Sequence, residues 1–214
     1  FLTGKAGTGK STFIHYFMKN TEKNVIALAY TGIASMNIGG QTINSFFRLP
    51  LKPLVPDDPD ITIFKSFYQK RKILETTDSV IIDEISMLRS DILQAIDYSL
   101  RHNGGDSNQL FGGKQLILVG DIFQLPPIVD QRSKIEVEFF KTKYNSEYFF
   151  DSLAFKQLNP KIFEFKKVHR QKNQHFINLL NKVRDSSIDL KSIQELNTTY
   201  DPNHIQGSNE FSIS

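Results

Sequence analysis

The sequence predicts an α/β fold, a central and mostly parallel sheet flanked by helices with small insertions, and three observations carry that expectation. Short apolar runs of strand length alternate with segments of helical period along the chain. The first four runs each end in a segment rich in Gly, Thr, Asp or Gln, the kind of residue found at the ligand edge of a parallel sheet. The first run passes through a glycine-rich loop straight into a helical segment.

Phe1–Thr3 is the first expected strand, and Gly4-Lys5-Ala6-Gly7-Thr8-Gly9-Lys10-Ser11 follows it, matching G-x-x-x-x-G-K-[ST] at every required position. Glycines let such a loop curl so that successive N–H groups face an anion, lysine adds a charge toward the β/γ-phosphates, and serine offers a hydroxyl to Mg²⁺. Gly4, Ala6, Gly7, Thr8, Gly9, Lys10, Ser11 and Thr12 are therefore the expected nucleotide-binding residues, with Ser11 also a metal ligand. A helix from Ser11 to about Lys19 would bring its positive dipole end to the phosphates.

Val25–Ala29 is the second expected strand, and Arg48–Asp60, with Pro50, Pro53, Pro56 and Pro59, reads as an excursion from the sheet. A helix around Phe64–Leu74 precedes the strand Val80–Ile82, after which Asp83 and Glu84 bring two carboxylates to a strand tip. There Asp83 would hold Mg²⁺, directly or through water, and Glu84 would polarise the water attacking a γ-phosphate. A kinase must keep water from that phosphorus, so the Asp-Glu pair favours hydrolysis over transfer to a small molecule.

Ile92, Leu93, Ile96 and Leu100 share one face of an expected helix over Asp91–Arg101. The strand Leu116–Val119 then leads into Gly120-Asp121-Ile122-Phe123-Gln124-Leu125-Pro126-Pro127. Gln124 can donate to a phosphate oxygen and accept from water, and the diproline stiffens the backbone behind it. Residues 130–148 make a second, charged and aromatic excursion before the strand Ile162–Phe165 and the helix Gln174–Arg184.

With 39% hydrophobic and 23% charged residues among 214, the chain has the composition of a globular domain rather than a disordered one. No apolar run is long enough to span a bilayer, and no signal peptide is evident, so nothing directs this segment to a membrane or for export. Absence of cysteine excludes disulfides, thiolate catalysis and cysteine-ligated zinc. A net charge of +3 is a weak nucleic-acid signal; the basic stretches Lys65–Lys72 and Arg132–Lys143 are equally compatible with solvated faces.

Six ordered motifs resemble the first RecA-like domain of the Pif-type 5′-to-3′ DNA helicases, the superfamily 1 branch that also holds RecD and the Dda phage helicase. They are the phosphate loop, Tyr30–Ser35, Gln41–Phe47, Ile81–Leu88, the Gly-Asp-x-x-Gln-Leu-Pro-Pro segment and Val168-His169-Arg170-Gln171. Two departures are Tyr30, in place of the usual proline, and Asn44, in place of a common histidine.

The resemblance implies a RecA-like P-loop domain over 1–185, with a wedge-like insertion at about 48–60 and a segment 186–214 leading toward a second RecA-like domain. It implies ATP and Mg²⁺ as cofactors, Lys10, Glu84, Gln124 and Arg170 as catalytic residues, and Asp83 with Ser11 at the metal. Arg170 would act as an arginine finger, although taken alone it could merely cap or pair with an acid. Single-stranded DNA would meet Thr31, Gly32, Ile33, Thr42, Ser45, Phe46 and Phe47, where either phenylalanine could stack a base or belong to the core.

The implied whole is a monomeric ATP-dependent helicase acting on single strands and on forked or tailed duplexes in replication, repair, recombination or telomere maintenance. Its location would be cytoplasmic in a bacterium or phage, nuclear or mitochondrial in a eukaryote. Two rivals remain at this point: a P-loop ATPase that remodels protein or loads clamps, and a nucleotide-binding switch that does not turn over. The second would have no use for Glu84.

Overall fold

The computed structural model describes residues 1–169, 171, 173–198 and 200, in two compact units, Phe1–Arg170 and Gln171–Ser214. Within the first unit six strands form one sheet: β1 Leu2–Gly4, β2 Val25–Ala29, β3 Gln41–Thr42, β4 Ser79–Asp83, β5 Gln115–Gly120 and β6 Phe163–Phe165. Their spatial order is β3-β2-β4-β5-β1-β6, and every pairing is parallel. The expected α/β class and parallel sheet are observed, with β3 as a short strand that the apolar pattern does not announce.

Parallel sheets need both faces covered, and the sequence of β4 reflects this in an unbroken apolar run, Val80-Ile81-Ile82. Side chains alternate across the sheet. Val80 and Ile82 join Leu28 and Leu118 in the core on one face, while Ile81 joins Leu2, Ala27, Ala29 and Val119 on the other.

Helix α1, Lys10–Asn20, covers the second face through Ile14. Short helices α2, Gly32–Asn37, and α3, Ile43–Phe47, flank β3, and α4 spans Gln69–Thr76. Helix α4 starts later than its apolar pattern suggests because Phe64 is spent in the core ahead of it and its own N-terminal half is cationic. Helix α5, Ser90–His102, lays Ile92, Leu93, Ile96 and Leu100 into the first face as expected.

The segment 48–60 leaves the sheet, as its prolines suggest, yet it is anchored: Leu49 and Leu54 are core residues. Asp91, wholly buried, accepts the Leu54 N–H at 3.0 Å and two guanidinium N–H groups of Arg89 at 2.9 and 2.7 Å. The 130–148 excursion contains a real helix, α6, Lys134–Lys143, capped by Ser133. Just beyond it the buried Tyr144 hydroxyl donates to the Leu54 carbonyl at 2.7 Å, so the two insertions are tied to each other. Helix α7, Leu153–Leu158, completes the unit.

In the second unit, α8, Gln174–Arg184, has the bounds its apolar spacing predicts, and α9, Leu190–Asn197, follows it. Lys182 joins them through Asp189 and the Ser192 hydroxyl at 2.8 and 2.9 Å.

Candidate active site

Because every strand runs the same way, Gly4, Ala29, Thr42, Asp83, Gly120 and Phe165 end their strands on one edge of the sheet. The register aligns Ala29 with Asp83, Thr3 with Gly120 and Gly4 with Phe165. That edge receives the polar segments singled out in the sequence.

The loop from β1 to α1 bends at glycines for a steric reason. A Cβ on Gly4 would lie 2.5 Å from the Phe165 carbonyl oxygen and 2.8 Å from the Thr8 hydroxyl. Gly9 caps α1 in the left-handed region, φ 97°, and its carbonyl accepts the Phe13 N–H at 2.9 Å. Buried Thr8 closes the loop from within by donating to the Lys5 carbonyl at 2.8 Å. The Lys10 ammonium donates to the Gly4 and Lys5 carbonyls at 2.7 and 3.1 Å, so its charge lies over the loop. Ser11 and Thr12 are exposed in the first turn of α1.

At the tip of β4, Asp83 is buried and accepts the N–H of Glu84 at 2.9 Å. Burial pushes the Asp83 carboxyl above its ordinary pKa, while that hydrogen bond and the Lys10 charge pull the other way. Glu84 is raised by burial first and then by the negative charge of Asp83; Lys10 opposes, and Asp121 adds to the rise. Glu84 thus lies among Asp83, Asp121 and the Lys10 charge, and Asp121 is a carboxylate whose role the sequence does not announce. Its signal is its place directly after β5, as Glu84 directly follows β4.

Glu84 has φ 54° and ψ 44°, left-handed backbone that glutamate adopts at a cost. Gln124 is exposed on a turn closed by its own N–H on the Asp121 carbonyl at 2.9 Å. A pocket of about 290 Å³ is lined by Thr31, Ile33, Glu84, Ser86 and Gln124 among others, so two segments expected to meet different ligands share one cavity. A cavity of about 620 Å³ bordered by Phe1, Phe13, Phe17 and Phe163 includes none of the loop residues Gly4–Ser11 and is not part of this site.

The backbone N–H of His169 donates to the Gly7 carbonyl at 2.8 Å, bringing the Val168–His169 segment onto the phosphate loop. Arg170, expected next to it as an arginine finger, lies outside the described residues.

Among the residues expected at DNA, Thr31 caps α2 by accepting the Ala34 N–H at 3.2 Å, which leaves its O–H free in direction to donate. Gly32, Ile33 and Ser45 are exposed and Thr42 is half-buried. Phe46 and Phe47 are a correction: at 3% and 0% exposure, packed edge to face 5.0 Å apart, they are core and not a stacking surface. Their place in α3 turns both rings under the sheet rather than out of it.

Aromatic surface appears nearby instead. Phe67 and Tyr68 stack 5.0 Å apart and are exposed, with Arg48 5.7 Å over the Tyr68 ring. Lys70 ties this patch to α3 through the Ser45 and Phe46 carbonyls at 2.6 and 2.9 Å.

A parallel sheet in which β5 separates the phosphate-loop strand from the Asp-Glu strand defines the class: a RecA-like P-loop domain. The sequence model of the family described as "PIF1-like helicase" matches residues 1–194. The ATP-dependent DNA helicase PIF1 of Saccharomyces cerevisiae is 35% identical over 91% of this chain, and the Campylobacter jejuni Pif1 is 32% identical over 89%. The crystal structure of Bacteroides Pif1 bound to ssDNA superposes with a TM-score of 0.87 at 39% identity, covering 99% of this chain and 48% of that one. This chain belongs to the PIF1-like helicase family. It spans 22% of the yeast protein and 41% of the Campylobacter one.

Proposed function

We propose that this chain is the ATP-hydrolysing first motor domain of a 5′-to-3′ DNA helicase, coupling turnover at the phosphate loop to movement along single-stranded DNA. The observation that carries the reading is that Glu84 lies among Asp83, Asp121 and the Lys10 charge at one sheet edge and also lines a pocket with Gln124, Thr31 and Ile33.

Gly4, Ala6, Gly7, Thr8 and Gly9 supply backbone to the triphosphate, with Ser11 and Thr12 in the first turn behind them, and Lys10 supplies charge. For that it must leave the Gly4 and Lys5 carbonyls, which hold its ammonium close to where phosphate would lie. The donor set suits Mg²⁺: a buried carboxylate at Asp83 and a hydroxyl at Ser11 would hold it beside the phosphates. When bound, Mg²⁺ neutralises phosphate charge. Glu84 takes the proton of the attacking water, Gln124 reports whether the γ-phosphate is present, and Arg170 supplies charge to it.

Thr31, Gly32, Ile33, Thr42 and Ser45 line the strand path, and Phe67 and Tyr68 offer the aromatic surface that Phe46 and Phe47 do not. The relatives support this direction: Pif1 helicase from Bacteroides is described in complex with ADP-AlF3 and ssDNA, and another similar structure is described as DNA unwinding at forked dsDNA by two coordinating Pif1 helicases. We take the domain to run over 1–185, and we take the working unit to be a monomer. The test is strand displacement by the full-length protein on 5′-tailed and 3′-tailed duplexes. Unwinding confined to the 5′ tail supports the reading, and ATP-independent or 3′-only displacement refutes it.

A further inference from the structure

Among the described residues one buried side-chain polar atom has no hydrogen-bond partner, the hydroxyl of Ser86. Ser86 is 3% exposed and sits in the single turn Ile85–Met87 that directly follows Glu84. Buried hydroxyls bear the full cost of lost hydration unless paired, and serine rotors usually find a nearby carbonyl. Other buried serines here do so: Ser35 donates to Gly32, Ser79 to Gln115 and Ser90 to Ser146. An exception in this position asks what completes it.

Ser86 lines the pocket of about 290 Å³ together with Thr31, Glu84 and Gln124. Thr31 already uses its oxygen as the cap of α2, and Glu84 lies in the field of Asp83, Lys10 and Asp121. Gln124 is different, an exposed carboxamide on the turn that leaves β5. The last residue of β5, from which that turn leaves, is seated on the Ser86 turn. A Cβ on Gly120 would lie 2.8 Å from Ile85 Cγ2, 3.0 Å from the Ile85 nitrogen and 3.6 Å from the Ser86 nitrogen.

We propose that Ser86 is a positioning residue for Gln124: the Ser86 O–H donates to the side-chain carbonyl of Gln124 when that chain folds into the pocket. A carboxamide held by its oxygen must point its NH₂ away from the serine, so the end that remains is the donor end, the one a γ-phosphate requires. Ser86 is desolvated and fixed beforehand, so the bond costs little further ordering when it forms. The inference rests on the hydrolytic reading of this site.

The experiment is steady-state ATPase of the full-length protein at saturating oligo(dT), on wild type, Ser86→Ala, Gln124→Ala and the double variant, with Tm measured on each. Ser86→Ala removes an unpaired buried oxygen, so Tm should hold or rise. The expected result is a fall in kcat of about 10-fold, the weight of one neutral hydrogen bond, with KM for ATP within about twofold. In the Gln124→Ala background the same substitution should change nothing further. Unchanged kcat in Ser86→Ala, an equal fall in both backgrounds, or a loss of kcat that tracks a loss of Tm each overturns the proposal. A wild type without hydrolysis overturns the hydrolytic reading, and the inference with it; an active wild type with an indifferent Ser86→Ala overturns the inference alone.

Discussion

The carbonyl of Gly7 accepts a 2.8 Å hydrogen bond from the backbone N–H of His169, which fixes the phosphate loop to the chain leaving β6. Beside it Gly4 pairs with Phe165, so the first and last strands of the sheet shape one loop between them. Gly4→Ala would put a methyl 2.5 Å from the Phe165 carbonyl, backbone that cannot step aside cheaply. We expect a loss of about 1–3 kcal/mol of stability by urea titration, and weaker nucleotide binding by fluorescence with a labelled ADP.

Glu84 combines a functional carboxylate with left-handed backbone, φ 54°. Glu84→Gly should relieve about 1 kcal/mol of that strain and raise Tm while hydrolysis is lost. Glu84→Gln should keep the strain and the ATP binding and lose turnover. Calorimetry and ATPase rates on the two variants together separate the roles; a Glu84→Gly protein that is less stable contradicts the strain argument.

Phenylalanine at the base of the proposed DNA path divides by burial. Phe47→Ala should cost about 3–5 kcal/mol of folding stability, as a fully buried ring does. Phe67→Ala, at an exposed ring, should leave Tm unchanged and weaken binding of a fluorescent oligo(dT) by about 1–3 kcal/mol. Equal oligonucleotide affinity for Phe67→Ala and wild type would remove the aromatic patch from the DNA path.

The proline-rich insertion carries a pH-dependent anchor. Burial alone would raise the Asp58 pKa, but the Asp60 N–H, the Lys52 ammonium and the Val55 N–H outweigh it and leave the carboxyl below its ordinary value. A depressed carboxyl pKa adds stability that is complete above the unfolded-state value and is lost as pH falls through the folded one. Asp58→Asn should therefore lower Tm at neutral pH, and the gap to wild type should close as the pH falls below the ordinary carboxylate range. A gap that is constant with pH would show that the charge of Asp58 is not what anchors the loop.

Much of the site was legible because its signals are local. The octapeptide at Gly4–Ser11, the Asp83-Glu84 pair and the Gly120–Pro127 segment each follow an apolar strand directly, and parallel topology does the rest. Short elements were less legible: β3, α2 and α3 have two to six residues each, too few to show a period. Partnership across the fold was not legible at all. Nothing near Asp91 in sequence says that it will hold the Leu54 N–H, and nothing near Phe46 says which side of the sheet it will take. The raised pKa of Glu84 comes first from burial and then from Asp83, with a smaller share from Asp121, a neighbour only because β4 and β5 pair.

We propose that the edge of this sheet hydrolyses ATP in response to single-stranded DNA. The direct measurement is ATP turnover by the full-length protein with and without oligo(dT), beside Lys10→Ala. We predict strand-stimulated turnover in the wild type and a fall on the order of 10²-fold or more in the variant. Turnover indifferent to the strand, or preserved in Lys10→Ala, would contradict the account.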